Sequence, residues 1–261
     1  MLERNEKNRK KRDKSFSLYI HIPFCKRLCP YCDFTAYTKK EFLAPYLKAL
    51  KKEIKTYSHS PLFEKRTVAT IYFGGGTPSI LPAQEIKEII DVIKKSFNVK
   101  AEEITLEANP EDVLEEKALA WQKSGVNRVS IGAQSFNKNI LKFLGRKHRK
   151  EQIKKAVELC QQSGINNISI DLIIGTKYHT KELLKKELEE ALALNPSHLS
   201  VYLLTYSRAT PFSQKRAEDL LAEEEEAAEE LFYTEEFLSQ RGFKRYEVSN
   251  YSKEGKKSQH N

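Results

Sequence analysis

The feature that most constrains the fold is a regular alternation of short β-rich runs and amphipathic helical patterns along the chain. β-branched and aromatic residues dominate the short runs, as in 67–73, and apolar residues three and four positions apart mark the segments between them. We predict six strands, at 17–22, 67–73, 103–107, 126–131, 167–174 and 199–204. Strands that alternate with helices predict an α/β fold with a parallel sheet, closed or nearly closed into a barrel; a doubly wound open sheet is the alternative.

The helical patterns also carry recognisable ends. The main predicted helices cover 41–57, 84–97, 110–123, 151–162, 181–194 and 220–240. Asn109 can cap the third of these helices, Pro110 can open it and Gly125 can end it. The acidic run A-E-E-E-E-A-A-E-E in the last helix is most simply a solvated face.

Charge and cysteine content limit the classes of protein. The net charge is +9, and residues 1–14 hold seven Lys or Arg against three acidic residues, which predicts a solvated, partly disordered basic tail. An RNA-binding or anionic-surface role for this tail is the alternative. No basic stripe with interleaved aromatics appears, so we expect no nucleic acid partner. The chain has four cysteines and no apolar run of membrane-spanning length, which favours the reducing cytoplasm, with peripheral membrane contact left open.

Three of the four cysteines fall in one short segment after the first strand. Cys25, Cys29 and Cys32 have the spacing C-x3-C-x2-C, whereas Cys160 lies in a helical pattern far along the chain. Three thiolates in one loop can bind a soft metal centre. A structural zinc site would need a fourth ligand, whereas a cubane iron-sulfur cluster held by three cysteines leaves one iron open to a small molecule. We adopt the cluster, with a zinc loop or free thiols as the alternatives.

Unusual residues stand where the predicted strands end, which is where a barrel binds its ligands. Gly74-Gly75-Gly76 lets the backbone approach a ligand closely, although a flexible turn has the same composition. Glu107 can accept from ribose hydroxyls or simply favour a helix N-terminus. A carboxylate at Asp171, inside an apolar run, needs a partner, and Arg146 is our candidate.

The segment Y-I-H-I-P-F-C-K-R-L-C-P-Y-C-D-F resembles radical S-adenosylmethionine (SAM) enzymes, and more narrowly the oxygen-independent coproporphyrinogen III oxidase-like group. The resemblance implies a partial (β/α)6 barrel, a 4Fe-4S cluster held by Cys25, Cys29 and Cys32, and reductive cleavage of SAM. It further implies that five residues contact SAM. They are Tyr19, then Gly75, Gly76 and Thr77 in Y-F-G-G-G-T-P-S, and Glu107 in L-E-A-N-P. In the oxidase the residues matching Gln134, Arg146 and Asp171 surround a second SAM; a structural ion pair is the alternative.

Departures from the family pattern decide between its two branches. The oxidase has a further cysteine where this chain has Phe34, and this difference, with E-A-N-P, S-I-G-A-Q-S-F and R-Y-E-V-S-N-Y, favours the HemW-type heme-chaperone branch. That branch implies heme or porphyrin, heme-accepting proteins and an electron donor as partners. Radical decarboxylation of coproporphyrinogen III is the alternative function.

Two further departures affect the later part of the chain. After the fifth strand the chain reads G-T-K-Y-H-T instead of the family's G-L-P-G-Q-T, so contacts there are not carried over, and His179 is a weak candidate ligand. The chain stops before the family's H-N-x-x-Y-W string and later domain, so we expect a truncated form with a frayed His260. The predicted organisation is a basic tail at 1–14, the core barrel at 15–206 and a C-terminal extension at 207–261.

Overall fold

Six parallel strands form the centre of the fold in the computed structural model, which describes residues 15–261. They are β1 (Ser15–Ile22), β2 (Thr67–Gly75), β3 (Asn98–Ala108), β4 (Arg128–Gln134), β5 (Asn167–Ile174) and β6 (His198–Leu203). Each strand pairs in parallel with the next in chain order. The predicted partial barrel is therefore confirmed, and the doubly wound alternative, which requires a reversal of strand order, is wrong.

Seven α-helices are found in the described part of the chain. They are α1 (Leu43–Ser58), α2 (Ala83–Ser96), α3 (Glu115–Ser124), α4 (Lys138–Phe143), α5 (Lys150–Gln162), α6 (Lys181–Ala193) and α7 (Glu224–Ser239). The predicted stop at Gly125 is confirmed: the glycine has φ +106°, the left-handed conformation typical of a helix end. The third helix begins later than predicted, because Pro110–Asp112 forms a separate 3₁₀ turn.

The apolar core lies between the outer face of the sheet and the surrounding helices. Helix α2 shows why: Ile86, Ile89, Ile90 and Ile93 recur at helical spacing and all are fully buried. Trp121 on α3 is also fully buried. Burying such side chains stabilises the barrel by about 25 cal/mol per Å² of apolar surface.

Polar side chains, by contrast, fill much of the inside of the barrel. Arg128 Nε lies 3.9 Å from Glu103 Oε2, and both side chains are almost completely buried. The hydroxyl of Ser169 and Nδ1 of His198 are 2.8 Å apart. Burial lowers the pKa of His198 to about 3, and nearby Arg128 acts in the same direction. These groups hydrogen bond or pair with one another, so the base of the barrel is polar but compact.

The last residues extend the sheet and enter the barrel. Strand β8 (Asn250–Ser252) pairs antiparallel with β6, and β7 (Lys244–Arg245) pairs antiparallel with β8. Beyond them, the backbone amide of Gln259 donates to Glu103 Oε1 at 3.1 Å. His260 Nδ1 lies 2.8 Å from the hydroxyl of Thr70. The expectation that His260 is frayed is wrong, because polar groups at the base of the barrel hold this segment.

The structure describes residues 15–261 and so tests some of the sequence-based expectations only in part. No helix in residues 15–261 is long and apolar enough to cross a membrane. The basic segment at 1–14 lies outside the described residues. The division into a core at 15–206 and an extension at 207–261 stays a prediction.

Candidate functional site

The cysteine segment forms a loop closed at its base by backbone hydrogen bonds. The amide of Cys25 donates to the carbonyl of Tyr37 at 3.0 Å, and the amide of Tyr37 donates to Pro23 at 2.8 Å. Between them, a tight turn brings the amide of Cys32 to 3.2 Å from the carbonyl of Cys29. All three thiols are free and half-buried. The three closely spaced cysteines therefore lie in one loop directly after β1.

The electrostatics of the thiols reflect their proximity. Burial raises the pKa of the Cys25 thiol, a hydrogen bond from Thr77 opposes this shift, and nearby Cys29 and Cys32 add to it. Burial likewise raises the pKa of the Cys32 thiol, with Cys29 contributing in the same direction. Neighbouring thiols whose raised pKa values at Cys25 and Cys32 disfavour the thiolate form suit a cationic centre, which would deprotonate them on binding.

The arrangement fits a cubane cluster better than a single ion. Within residues 15–261, no three His, Cys, Asp or Glu side chains converge as the ligands of one metal ion would. In a cubane, each cysteine binds a different iron, so the three sulfur atoms need to surround the cluster without meeting at one point. The donor set is soft thiolate throughout, the chemistry that holds iron-sulfur clusters.

The triple glycine packs tightly against this loop. A Cβ on Gly76 would lie 2.8 Å from the carbonyl oxygen of Phe24 and 3.0 Å from Cys25 Sγ. Gly75 has φ +109°, and a Cβ there would lie 2.6 Å from the ring of His21. The flexible-turn alternative is therefore wrong, because these glycines are required by close packing and by a left-handed backbone.

Arg146 lies beside the cysteines instead of pairing with Asp171. Its Nη1 is 3.6 Å from Cys29 Sγ, and its Nη2 donates to Asn109 Oδ1 at 2.6 Å and to the carbonyl of Gly132 at 3.0 Å. Our expectation of an Arg146–Asp171 pair is thus wrong. The predicted helix cap is wrong as well, because Asn109 makes no side-chain cap and instead accepts from the arginine. The buried Nε of Arg146 has no hydrogen-bond partner in the protein, which leaves a donor for a bound group.

Asp171 is partly buried on the inner face of the barrel, where hydroxyl groups surround its carboxylate. The Ser130 hydroxyl lies 2.9 and 3.0 Å from its two carboxylate oxygens, and the Ser169 hydroxyl lies 3.3 Å from one of them. Burial raises the pKa of Asp171; the bond from Ser130 and the charge of Arg128 oppose the shift. Serine hydroxyls and a more distant arginine therefore replace the direct ion pair that we expected.

Glu107, at the end of β3, is a partly buried acid whose pKa is raised. The hydroxyl of Tyr72 donates to its Oε1 at 2.8 Å, and the backbone amide of Gly75 donates to its Oε2 at 3.2 Å. Burial raises the pKa of Glu107 to about 7 despite these two hydrogen bonds. The carboxylate is thus held in place at the mouth of the barrel, where it can accept further hydrogen bonds.

A cavity of about 660 Å³ opens at the carboxyl ends of the strands. Of the residues that the sequence predicts to bind cofactor, it is lined by Gly75, Gly76, Thr77, Glu107, Gln134 and Asp171, together with Cys32. Tyr19 and Arg146 do not line it. Tyr19 lies beside Glu107 across Gly74, and Arg146 is turned toward Cys29. Burial raises the pKa of Tyr19 to about 12, so its hydroxyl remains protonated.

The backbone of Gln134 is itself unusual. Its φ is +65°, a left-handed value that a residue with a side chain rarely adopts, and the pairing of β4 with β5 is interrupted just before it. Such conformations cluster at ligand sites because the surrounding structure has to hold them.

The sequence interpretation missed several residues of the cavity. Asn109, Ser130 and Tyr202 line it, and Tyr72 positions Glu107 on its wall. Side chains alternate between the two faces of a strand, which places Ser130 of β4 and Asp171 of β5 on the same inner face. This alternation is the sequence pattern from which Ser130 could have been predicted as a cavity residue. No comparable pattern marks Asn109, whose role depends on an arginine far along the chain.

The remaining candidate ligands have ordinary structural roles. The side chain of His179 is fully buried and its Nε2 lies 3.3 Å from Glu187 Oε2, so it is not a solvated loop residue. His21 lies between two partners: its Nδ1 is 3.1 Å from the hydroxyl of Tyr19, and its Nε2 is 3.2 Å from the carbonyl oxygen of Thr35. Cys160 is buried in the apolar core, away from the cysteine loop.

Comparison with known proteins agrees with this geometry. The family model of the Radical SAM superfamily matches residues 19–191. The heme chaperone HemW of Lactococcus lactis is 36% identical over 252 residues, which are 95% of this chain and 65% of that protein. The HemW of Escherichia coli is 36% identical over 253 residues, 94% of this chain and 65% of that protein.

Among solved structures, the coproporphyrinogen III oxidase HemN of Escherichia coli, a radical SAM enzyme, gives a TM-score of 0.83 at 29% identity. It covers 93% of this chain, and the match spans 56% of the oxidase. Fold, cysteine loop and family model together define the class: the chain belongs to the Radical SAM superfamily. Membership implies a 4Fe-4S cluster and SAM as cofactors. The chain is also similar to the heme chaperones, and it spans just under two thirds of their length.

Proposed function

We propose that this chain is the radical SAM part of a HemW-type heme chaperone, which binds a 4Fe-4S cluster, SAM and heme and delivers heme to heme proteins. The observation that carries this proposal is the similarity to heme chaperones over 94–95% of the chain. Phe34, which replaces the oxidase's additional cysteine, supports the same branch. It lines the cavity and is 66% exposed, an apolar surface that suits a porphyrin ring.

In this proposal each element at the strand ends has a separate task. Cys25, Cys29 and Cys32 hold the cluster, which when bound supplies an electron for reductive cleavage of SAM. Gly75, Gly76 and Thr77 let the backbone approach the methionyl group of SAM, and Glu107 accepts hydrogen bonds from its ribose. The protein binds and orients the cofactors and keeps water away, while the cofactors carry the difficult chemistry.

Gln134, Arg146 and Asp171 have different surroundings and so different proposed tasks. Gln134 and Asp171 face the cavity and are available to a second SAM or to the tetrapyrrole. Arg146, 3.6 Å from Cys29 Sγ, places a positive charge beside the cluster ligands. That charge opposes the rise that burial causes in the pKa of the Cys25 and Cys32 thiols.

Heme titration followed by visible absorption tests the chaperone proposal. Anaerobically reconstituted protein should bind heme stably and, when given coproporphyrinogen III, SAM and a strong reductant, should release no decarboxylated product. Formation of protoporphyrinogen IX would overturn the proposal.

Coproporphyrinogen III oxidase is the second candidate, favoured by the structural similarity to HemN at a TM-score of 0.83. In that reaction a hydrogen atom is abstracted from a propionate side chain, which then loses carbon dioxide and gives one electron to an acceptor to form a vinyl group. Both candidates use the same cluster and SAM site, so the product assay above separates them.

The proposed partners follow from the same function. They are heme or porphyrin, heme-accepting proteins and an electron donor, with no nucleic acid. The cytoplasm is the proposed location, because three free cysteines in one loop suit a reducing compartment. Peripheral membrane contact is compatible with this location.

A further inference from the structure

A second cavity, of about 630 Å³, lies on the flank of the barrel between α4, the start of α5 and α6. We call it the basic groove. Seven basic and three acidic side chains line it, around an apolar floor. The basic residues are Lys138, Lys142, Arg146, Lys147, Arg149, Lys150 and Lys186, and the acidic ones are Glu151, Glu187 and Glu190.

Two of the three acidic residues are already engaged. Glu187 is buried and accepts from the Ser135 hydroxyl and from the backbone amides of Phe136 and Asn137 at 3.0 and 3.1 Å. Glu190 forms an ion pair with Lys150, with 3.6 Å between Oε1 and Nζ. The groove therefore keeps a strong excess of positive charge.

Most of the positive charge is free to meet a partner. The exposed residues Lys138, Lys142, Lys147 and Lys186 have no acidic partner within 4.0 Å in residues 15–261. Their ammonium groups are exposed and spread around the groove, whereas the less exposed donors in its lining, Arg146 and His148, are turned toward Cys29 Sγ and toward the carbonyl of Ala133. This arrangement suits the acidic surface of a macromolecule better than a small anion, which needs convergent donors.

Two residues that line the basic groove also contact the cysteine loop. Gly145, on its wall, has φ +68° and approaches the loop so closely that a Cβ there would lie 2.7 Å from the ring of Pro30. Arg146, the next residue, contacts Cys29 Sγ at 3.6 Å. A partner in the groove would thus be separated from the cysteine ligands by a single layer of residues.

We propose that the basic groove is the docking surface for an acidic one-electron carrier protein that reduces the cluster. The proposal rests on the proposed function, because it requires the cluster. The carrier gives up one electron and is oxidised by one electron, and the cluster is reduced by one. Opposite charges on the two surfaces would steer the encounter, with a rate that falls as salt rises.

Reduction kinetics of the reconstituted protein test this proposal. Reduced flavodoxin serves as the acidic protein donor and the methyl viologen cation radical as the small donor, and cluster reduction is followed by visible absorption and EPR. In the double variant K142E/K147E, reduction by flavodoxin at low salt should slow about tenfold or more and lose most of its salt dependence. Reduction by methyl viologen should stay within about twofold of the wild type.

The double variant K48E/K52E is the matched control, because both lysines are exposed on α1 and, within residues 15–261, have no acidic partner. Equal slowing in both double variants, or an unchanged flavodoxin rate in K142E/K147E, would overturn the docking proposal. Iron and sulfide content are measured first in each sample. A protein that takes up no cluster contradicts the proposed function itself, and binding of oxidised flavodoxin, measured by anisotropy, then tests the groove separately.

Discussion

At the scale of single residues, the site depends on close packing between the glycines after β2 and the cysteine loop. Thr77 donates to Cys25 Sγ at 3.3 Å, and Gly76 leaves no room for a side chain beside the same cysteine. The amide of Gly76 also donates to the carbonyl of Ile22 at 2.9 Å, at the end of β1. Backbone contacts thus hold the loop beside the cavity, which Cys32 lines.

The first prediction concerns Gly76→Ala. The added methyl group would lie 2.8 Å from the Phe24 carbonyl and 3.0 Å from Cys25 Sγ, so the loop has to shift. We expect the iron content after anaerobic reconstitution to fall severalfold, measured as iron and sulfide per chain.

Gly242→Ala is the control for this substitution. Gly242 has φ +82° and no atom within 4 Å of its added Cβ, so the change costs about 1 kcal/mol of backbone strain without touching the site. Equal iron content in the Gly76 and Gly242 variants would contradict the packing argument.

The second prediction concerns the pH dependence set by Glu107. Burial raises the pKa of this carboxyl from 4.5 to about 7, so the folded state favours the protonated form. The unfolded chain ionises first as pH rises; stability is therefore greatest below about pH 4.5 and is lost as pH rises toward 7. The loss amounts to about 3 kcal/mol at pH 8.

Urea denaturation of cluster-free protein measures this effect. Between about pH 5 and 8, the free energy of unfolding of the wild type should fall by about 2.5 kcal/mol relative to Glu107→Gln, which cannot ionise. Parallel pH curves for the two proteins would show that Glu107 titrates normally.

At the scale of elements, the C-terminal segment is part of the barrel. Ser258 and Gln259 meet Glu103 on β3, and His260 meets Thr70 on β2. The His260 ring also lies 5.0 Å from the ring of Tyr72, whose hydroxyl holds Glu107. The segment therefore connects the base of the barrel to the residues of the cavity.

The third prediction is that His260→Ala destabilises the protein by about 1 to 2 kcal/mol, because a buried hydrogen bond and a ring contact are lost. Lys256→Ala, at an exposed position in the same segment, should change stability by less than about 0.5 kcal/mol. Chemical denaturation compares the two. The same free energy of unfolding for both variants would mean that His260 is not held in place.

Local sequence patterns predicted most of the strands and helices but not the short terminal pairing. Most of the six long strands contain β-branched or aromatic residues and end at recognisable breaks, so their positions could be predicted, although β3 begins at Asn98, five residues before the predicted start. Strands β7 and β8 have only 2 and 3 residues, too few for a pattern, and form because β6 offers an open edge.

The partners of buried charges were the main part of the site that the sequence could not predict. Asp171 was recognised as a buried carboxylate, yet its hydroxyl partners Ser130 and Ser169 lie on the inner face of the barrel, and pairing depends on strand register. Arg146 was placed near the site but given the wrong partner, because a long side chain can reach several groups.

At the scale of the whole molecule, the barrel separates an apolar exterior layer from a polar interior. Helices bury the outer face of the sheet, while Glu107, Asp171 and Arg128 lie inside, where burial raises the pKa of the two carboxyl groups. The cavity and the cysteine loop lie together at the carboxyl ends of the strands. The basic groove lies on the flank, behind the same loop.

The central claim is that Cys25, Cys29 and Cys32 hold a cluster with one iron open to SAM. The most direct measurement is the EPR spectrum of anaerobically reconstituted, reduced protein without and with SAM, on samples of known iron and sulfide content. We predict about four iron and four sulfide per chain and a signal that changes on addition of SAM. The signal should be lost in Cys29→Ala and kept in Cys160→Ala. Bound zinc, or a cluster signal that does not respond to SAM, would contradict the claim.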